Sequence, residues 1–454
     1  MTGAALADAF RLLQAGDAAG ALRMAESIAA REPGNARASL AAGLALRALG
    51  RHAEARQAFE KARASDPRDA APVFELGVLL EAHGSADDAL AHYERSLTLR
   101  PGFAPAQAAT LRLRGRQCAG RGDFAAAGDL FVRARALAPG DPDLPLYAAQ
   151  ALLLAGRWEE AWPHYARRDS RIAFEAREAA AGRTYRVPTA EALADRDVAI
   201  VAEQGLGDIL FFARFAPALR GLARRITFTG APRLASILAR TGAFDEVRDA
   251  PAANDIPLLA ADLPLALGSR LDLFAPSLRA APDAARLSSW RDRLGTLGPR
   301  PWIAVTWRAG TPRALSSEAL SKNVPVEDLF GALRSAGGTV LAFQRGLADG
   351  ELARAASALG RPVHDLSQAS EDVEDALAVV SLADRHVGVS STNMHLAELA
   401  GRSADVLVPF PPEWRWRAEG ESPWFPGFRV LRQDVDGSWA RALAALAGEH
   451  PAGR

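Results

Sequence analysis

The chain has 454 residues, which at about 150 residues per domain suggests about three domains. Hydrophobic residues make up 49% and charged residues 24%, a balance typical of folded globular proteins and not of disordered chains. The 54 basic and 54 acidic side chains cancel, which argues against a dedicated nucleic-acid-binding protein, because such a protein needs a net basic surface. The single cysteine, Cys118, excludes an intramolecular disulfide and a four-cysteine zinc site.

The beginning of the chain shows no targeting pattern. It reads Met-Thr-Gly-Ala-Ala, without the basic region and the apolar region of a secretory signal. No stretch approaches the roughly 20 consecutive apolar residues needed to span a bilayer. We therefore expect a cytoplasmic protein with no membrane span and no nucleic-acid partner.

Prolines and glycines recur with a fixed period in the first part of the chain. The steps are 34 residues, except for one step of 38 that locates an insertion near residues 103–106. The residues of this series are Pro33, Pro67, Pro101, Pro139, Gly16, Gly50, Gly84, Gly122 and Gly156. A period of 34 residues is that of the tetratricopeptide (TPR) repeat, a pair of antiparallel helices.

Small and aromatic residues occupy matching places in successive repeats. Pairs of this kind are Gly43 with Phe59, Gly77 with Tyr93, and Gly115 with Phe131. A small residue lets two helices approach closely, the aromatic ring fills the gap between repeats, and the proline ends the second helix. We expect a TPR α-solenoid of about five repeats and a capping helix over residues 1–183, with a protein partner as its usual ligand.

From about residue 187, short apolar runs alternate with amphipathic ones. The apolar runs predict strands at 197–202, 225–229, 301–307, 339–344, 386–389 and 405–408. The amphipathic runs predict helices at 209–219, 231–240, 324–336, 350–359, 373–382, 393–401 and 438–447. Such alternation indicates parallel sheets with helices on both faces. We expect two Rossmann-like halves, 184–296 and 297–454.

Ligands of open parallel sheets bind beyond the carboxyl ends of the strands. The loops expected there are 203–208, 308–323, 344–346, 390–393 and 409–416. The Gly-Leu-Gly-Asp turn in the first loop lacks the third glycine of a dinucleotide fingerprint, because residue 210 is Leu210. The eight histidines show no metal spacing, so we expect no metal site.

Two predicted helices begin with residues suited to a ligand. In the first, Gly205 and Gly207 allow close backbone approach, and Asp208 lies in the first turn, where it would at least complement the helix dipole. The second begins at Ser390, Ser391, Thr392 and Asn393. Hydroxyls and free backbone N–H groups there favour either an anion site or an ordinary N-cap.

These segments resemble the bacterial heptosyltransferase-like branch of the GT-B glycosyltransferases. The resemblance extends over Gly205–Asp208, Trp307–Thr311, Ser321–Pro325, Ser390–Ala397, Pro409–Trp416 and Ser422–Gly427. With the repeats added, the chain resembles bacterial TPR-containing glycosyltransferases, a group similar to protein O-glycosyltransferases, some of which modify flagellin. The resemblance implies a GT-B fold, a nucleotide-sugar donor, a macromolecular acceptor, inversion at the anomeric carbon, and no metal or other cofactor.

The resemblance also implies roles for single residues. Asp208 matches the proposed general base, and Lys322, one of only two lysines, matches the lysine that contacts the donor phosphates. Residues 391–395, which include His395, match the helix start that holds the diphosphate. Ser390, Ser391 and Thr392 replace the Asp-Thr-Gly of the heptosyltransferase form, so a heptose donor does not carry over.

Further contacts to the nucleotide sugar are expected at strand ends. Arg308 would help neutralise the diphosphate, or would be only a surface cation; Gln344, followed by Arg345, would touch the nucleotide. His395 fits a core position as well as a site position. A second hypothesis is a non-catalytic TPR interaction scaffold whose transferase domain is degenerate.

Overall fold

The computed structural model describes residues 2–269, 277–309 and 322–448. The motif residues Gly310, Thr311 and Ser321 lie outside this range, as does most of the loop 308–323. Contacts divide the chain into two compact units. The first unit comprises residues 1–119 and 126–148, and the second comprises residues 120–125 and 149–454.

The first unit is helical. Its helices are α1 (Thr2–Gln14), α2 (Ala18–Arg31), α3 (Ala36–Ala48), α4 (His52–Ser65), α5 (Ala70–Ala82), α6 (Ala86–Leu99), α7 (Ala104–Gly120), α8 (Phe124–Leu137) and the start of α9 (Leu144–Leu154). The five glycines of the 34-residue series all have φ between +75° and +83°, a left-handed conformation that favours glycine. Each therefore turns the chain between two helices, and the predicted N-terminal TPR solenoid is confirmed.

The small residues of the repeats are required by close helix packing. A Cβ atom on Gly77 would lie 2.7 Å from a ring carbon of Tyr93, and one on Gly115 would lie 2.7 Å from a ring carbon of Phe131. Both distances are far shorter than a normal carbon–carbon contact of about 3.5–4.0 Å. Tyr93 is fully buried, so its ring has no room to move away.

We expect Gly77→Ala to destabilise the protein by about 1–3 kcal/mol, because it overpacks the contact with Tyr93. In an unstrained helical position the same change normally stabilises by about 0.4–1 kcal/mol. Gly3→Ala in α1 is the matched control, since nothing lies within 4 Å of its added Cβ. Urea unfolding followed by circular dichroism measures both variants. Equal midpoints would contradict the packing argument.

The second unit contains the parallel sheets. Its strands are β1 (Asp197–Val201), β2 (Arg225–Thr229), β3 (Glu246–Arg248), β4 (Ile256–Leu259), β5 (Trp302–Thr306), β6 (Arg308–Ala309), β7 (Lys322–Asn323), β8 (Thr339–Ala342), β9 (Val363–Asp365), β10 (Arg385–Val389), β11 (Asp405–Val408) and β12 (Arg429–Arg432). Strands β5, β8 and β11 are buried along their whole length, as is usual for parallel strands covered on both faces.

Helices cover these sheets, and two of them continue the repeats. They are α10 (Trp158–Tyr165), α11 (Asp169–Ala180), α12 (Ala190–Leu193), α13 (Leu206–Ala213), α14 (Ala235–Arg240), α15 (Leu263–Ala266), α16 (Ala284–Leu297), α17 (Val326–Ala332), α18 (Glu351–Leu359), α19 (Val373–Leu382), α20 (Thr392–Leu399) and α21 (Ala440–Ala447). The sequence expectation of parallel sheets with alternating helices is confirmed.

Each sheet reverses its strand order next to its first strand. The first sheet has the order β3-β2-β1-β4, and the second has the order β12-β11-β10-β5-β8-β9, with every pairing parallel. In chain order the second sheet therefore reads 6-5-4-1-2-3, the doubly wound arrangement. The switch points, where ligands of such sheets bind, lie between β1 and β4 and between β5 and β10.

A buried ion pair joins the two sheet systems. Arg214, which follows α13 and is 2% exposed, donates from Nη2 to Oε2 of Glu398 in α20 at 2.7 Å. Its Nη1 donates to the carbonyl oxygen of Trp424 at 2.7 Å, and its Nε donates to that of Phe211 at 3.0 Å. This bridge, called the Arg214–Glu398 bridge below, ties a helix of the first sheet to a helix of the second.

The last helices of the repeat pattern belong to the second unit by their contacts. Trp162 of α10 packs against Trp414 at 5.7 Å between ring centroids, and Trp158 packs against Trp424 at 5.0 Å. The sequence placed the boundaries by periodicity, at 183 and 296, and these boundaries stay predictions. The aromatic face of α10 explains why the compact unit instead begins near residue 149.

Candidate functional site

A cleft of about 630 Å³ lies beyond the carboxyl ends of β1, β5, β8 and β10. All the site residues expected from the sequence line it, namely Gly205, Gly207, Asp208, Arg308, Lys322, Gln344, Ser390, Ser391, Thr392, Asn393 and His395. The structure therefore brings together residues that are far apart in the sequence. Their chemical roles stay predictions.

Asp208 is held at the start of α13. Its Oδ2 accepts a hydrogen bond from the backbone N–H of Gly205 at 3.2 Å, and its Oδ1 accepts one from the guanidinium of Arg415. A Cβ atom on Gly207 would lie 2.9 Å from Cδ2 of His395, so only glycine fits there. The carboxylate faces the cleft in a fixed position, with a buried cation as its partner.

His395 lies in α20 and is both a core residue and a cleft residue. It is 5% exposed, and its Nδ1 has no hydrogen-bond partner among the residues that the structure describes. Burial, and then the positive charges of Arg415, Arg214 and Lys322, hold the pKa of this imidazole well below its usual value. His395 is therefore neutral at physiological pH.

Lys322 does not face the cleft as a free cation. In β7 it pairs across a short antiparallel ladder with β6, and its Nζ lies 2.6 Å from Oε1 of Glu413. The Oγ of Ser390 donates to the other oxygen of Glu413 and accepts from Nε1 of Trp416 at 2.8 Å. Lys322, Glu413 and Ser390 thus form one connected polar group on the wall of the cleft.

Arg308 and Gln344 fix the loops that follow β5 and β8. Oε1 of Gln344 accepts hydrogen bonds from the backbone N–H groups of Trp307 and Arg308, both at 3.0 Å. The guanidinium of Arg308 pairs with buried Glu351 and donates to the carbonyl oxygen of Gly346. Both side chains line the cleft, but their polar atoms mainly hold the backbone around it.

The start of α20 follows β10 and points into the cleft. Ser391 is its N-cap residue, and Thr392 and Asn393 form its first turn. The first N–H groups of a helix lack intrahelical partners and carry its positive dipole end. Oγ of Ser391 is buried and has no partner within the described part of the chain, so a donor is available for an anion.

Sequence reasoning did not give a role to Arg233, Glu413 or Arg415. Arg415 is 8% exposed and lies between Trp414 and Trp416, both of which pack in the interior. Its place in the loop 409–416, at the expected ligand edge, was the available signal. Among the described residues, the lining carries five cationic side chains (Arg233, Arg308, Lys322, Arg345 and Arg415) and two carboxylates (Asp208 and Glu413).

The described residues contain neither a metal-binding cluster nor a membrane-spanning helix. Over residues 2–269, 277–309 and 322–448, no group of three or more His, Cys, Asp or Glu side chains is arranged to hold a metal ion. None of the helices described above is both long and apolar enough to cross a membrane.

Comparison with known proteins identifies the repeats directly. Residues 12–76 and 53–104 each match a tetratricopeptide repeat family. The chain is 26% identical to Protein FlbA of Caulobacter vibrioides in an alignment of 398 residues that covers 80% of this chain. The match covers 64% of FlbA, so the chain spans less than two thirds of that relative. The N-terminal region is therefore a TPR solenoid, and most of the chain is similar to FlbA.

Two solved structures match part of this chain with low TM-scores. PilW, a widely conserved type IV pilus biogenesis factor, is 21% identical, with a TM-score of 0.31 over 38% of this chain and 78% of its own. Pseudomonas aeruginosa pilF is 20% identical, with a TM-score of 0.32 over 40% of this chain and 87% of its own.

Proposed function

We propose that the protein is a GT-B glycosyltransferase with an N-terminal TPR domain. It transfers a sugar from a nucleotide-sugar donor to a hydroxyl of a macromolecular acceptor, a protein such as flagellin. The mechanism is inverting and uses side chains and a helix start where other transferases use a metal. The repeats recruit the acceptor or a partner protein, because stacked TPR helices present extended binding surfaces.

The observation that carries this proposal is the set of cationic side chains at the second switch point, four of which are also in ion pairs with neighbouring carboxylates. Five cations face two carboxylates in the cleft lining, next to the start of α20. A nucleoside diphosphate group carries negative charge, and fixed donors at a helix start bind such groups. The eight-residue helix α20 begins between β10 and the cleft, where the doubly wound arrangement places its ligands.

The proposed reaction uses Asp208, in the helix that follows β1, and Lys322, in the β6–β7 ladder that follows β5. The acceptor hydroxyl oxygen attacks the anomeric carbon as Asp208 takes its proton, and the bond from that carbon to the diphosphate oxygen breaks. Lys322 and the start of α20 stabilise the charge that grows on the leaving diphosphate. Donors fixed before the reaction act without reorganisation, and each lowers the barrier by about 2.7–4 kcal/mol.

Nucleotide binding is the decisive test. We expect a panel of nucleotides and nucleotide sugars to contain at least one that raises the thermal unfolding temperature. Lys322→Ala should lower the affinity for that ligand at least about tenfold, since a hydrogen bond to a charged group contributes about 1.5–3 kcal/mol. Lys61→Ala, the chain's other lysine, is the control and should bind as wild type. Calorimetry gives the affinities.

The alternative is a TPR scaffold with a degenerate transferase domain. The observation that favours it is that Asp208 and Lys322 both have internal partners, Arg415 and Glu413. A cleft closed on itself in this way would bind no nucleotide. If no nucleotide or nucleotide sugar shifts the unfolding temperature, the transferase proposal fails and the scaffold takes its place.

A further inference from the structure

The switch point of the first sheet is filled by the chain itself. Glu203 lies two residues beyond β1, and Asp262 lies three residues beyond β4, on neighbouring parallel strands. A ligand of such a sheet would bind in the crevice outside these strand ends. Arg168, between α10 and α11, occupies this place and is 5% exposed.

Arg168 binds both carboxylates at once. Its Nε donates to Oε2 of Glu203 at 3.0 Å, its Nη2 donates to Oε1 of Glu203, and its Nη1 donates to Oδ1 of Asp262 at 2.8 Å. Burial lowers the pKa of this guanidinium, but its hydrogen bonds to Glu203 and Asp262 and the negative charges of both carboxylates raise the pKa by more, so Arg168 stays charged. Glu203 also accepts from Ser170 Oγ at 2.7 Å and from the N–H of Ala261 at 3.0 Å.

The next residue, Gln204, has a constrained backbone. Its φ is +66°, a left-handed conformation that is uncommon outside glycine and persists where the surroundings hold it. The hydroxyl of Tyr165, the last residue of α10, donates to Oε1 of Gln204 at 3.2 Å. Burial raises the pKa of this phenol, so it remains a donor. Tyr165 and Arg168 thus form hydrogen bonds with two successive residues of the loop, Gln204 and Glu203.

The loop held by these contacts leads directly into helix α13. Gly205, the N-cap residue of α13, directly follows Gln204 and donates its N–H to Asp208. Phe212, on the same helix, packs against Tyr165 at 6.1 Å between ring centroids. The orientation of Asp208 therefore depends on a loop that is held by the last helix pair of the repeat pattern.

We infer that Tyr165 and Arg168 are positioning residues for Asp208, acting through Gln204 and Glu203. This rests on the proposed function for the role of Asp208 as base. The helix pair α10–α11 is then a working part of the transfer site, with no contact to the donor. Because Arg168 fills the switch point of the first sheet, the donor binds at the switch point of the second sheet.

Two mild variants and one control test the inference. Tyr165→Phe keeps the ring and removes one hydroxyl, and Arg168→Lys keeps the charge and loses the forked contact with Glu203. Arg183→Gln is the matched control, because Arg183 pairs with Glu178 at the exposed end of α11 and does not reach the loop. Hydrogen exchange of amides 205–208 and steady-state transfer kinetics are measured on the full chain.

We expect faster exchange at 205–208 by about three- to tenfold in Tyr165→Phe, the effect of one lost hydrogen bond. In Arg168→Lys, exchange at amides 205–208 should be faster by more than about tenfold, while amides 391–395 keep their wild-type exchange rates. The value of kcat should fall, by up to about 10²-fold in Arg168→Lys, with the KM for donor within about twofold. Arg183→Gln should match wild type in every measurement.

Unchanged exchange in both variants overturns the inference, and so does faster exchange with unchanged kcat. If Arg168→Lys fails to fold, Tyr165→Phe decides alone. If exchange responds as expected but the wild-type protein transfers no sugar from any donor, the proposed function fails. The conclusion that Tyr165 and Arg168 position the loop before α13 is then still supported. The two failures are therefore distinguishable.

Discussion

Asp208→Asn should reduce the rate of sugar transfer by about 10²–10⁴-fold, the usual cost of a lost general base. Donor affinity should change little, because the base acts on the acceptor. The variant also leaves the buried guanidinium of Arg415 without its anionic partner, so a lower unfolding temperature is expected alongside. Calorimetry with donor and transfer rates at saturating donor separate the two effects.

Arg415→Gln is the comparison variant, which also removes one of the five cations of the cleft lining. It removes the same ion pair but keeps the carboxylate of Asp208 in the cleft. We expect it to lose much less activity than Asp208→Asn. Equal losses in the two variants would mean that Asp208 only anchors Arg415, and the proton would have to go to another group.

Removing residues 1–141 should leave a folded protein that still binds nucleotide but no longer modifies its macromolecular acceptor. This cut keeps α9, α10 and α11, whose contacts belong mainly to the second unit. Removing residues 1–170 should prevent folding. That cut takes away Arg168, so buried Glu203 loses its ion-pair partner and Asp262 keeps only Arg171, at about 3–5 kcal/mol for a broken buried pair.

The longer cut also removes two buried tryptophans, Trp158 and Trp162, each worth about 3–5 kcal/mol in a core. Together these losses reach the whole stability of a typical domain, about 5–15 kcal/mol. Circular dichroism and nucleotide binding measure the two truncations. A folded, nucleotide-binding protein starting at residue 171 would contradict the argument, as would full acceptor modification by the protein starting at residue 142.

The repeats were predictable because their packing rule is local. A glycine that meets an aromatic ring 16 residues later, as Gly77 meets Tyr93, leaves the same pattern in three successive repeats. The longer strands were also found, since β2 and β11 have the predicted bounds. A run of buried apolar residues between turns is a signal that needs no knowledge of the neighbouring strands.

The short edge strands were not predicted from the sequence, because they lack a continuous apolar run. β3 has three residues, Glu246–Arg248, and β9 has three, Val363–Asp365, and neither is continuously apolar. Both lie at sheet edges, where only one neighbouring strand supplies hydrogen bonds. In the segment 255–300, helix α16 and strand β4 were not foreseen, because the prolines there obscured both periods.

The location of the site was predictable, but its internal pairing was not. Strand ends identified the loops, and every expected residue lines the cleft. Pairing depends on which side chains the fold brings within reach, such as Lys322 with Glu413, 91 residues later. The sequence therefore presents Lys322 as a free cation, whereas the folded chain gives it a partner that an incoming anion must displace or share.

The Arg214–Glu398 bridge has a consequence for protein engineering. The two α/β halves read as modules that could be exchanged with those of relatives to change donor or acceptor. An exchange of one half alone would separate an arginine and a glutamate that are both buried. A functional chimera must therefore carry matched versions of α13 and α20, even when its junction lies far from both helices.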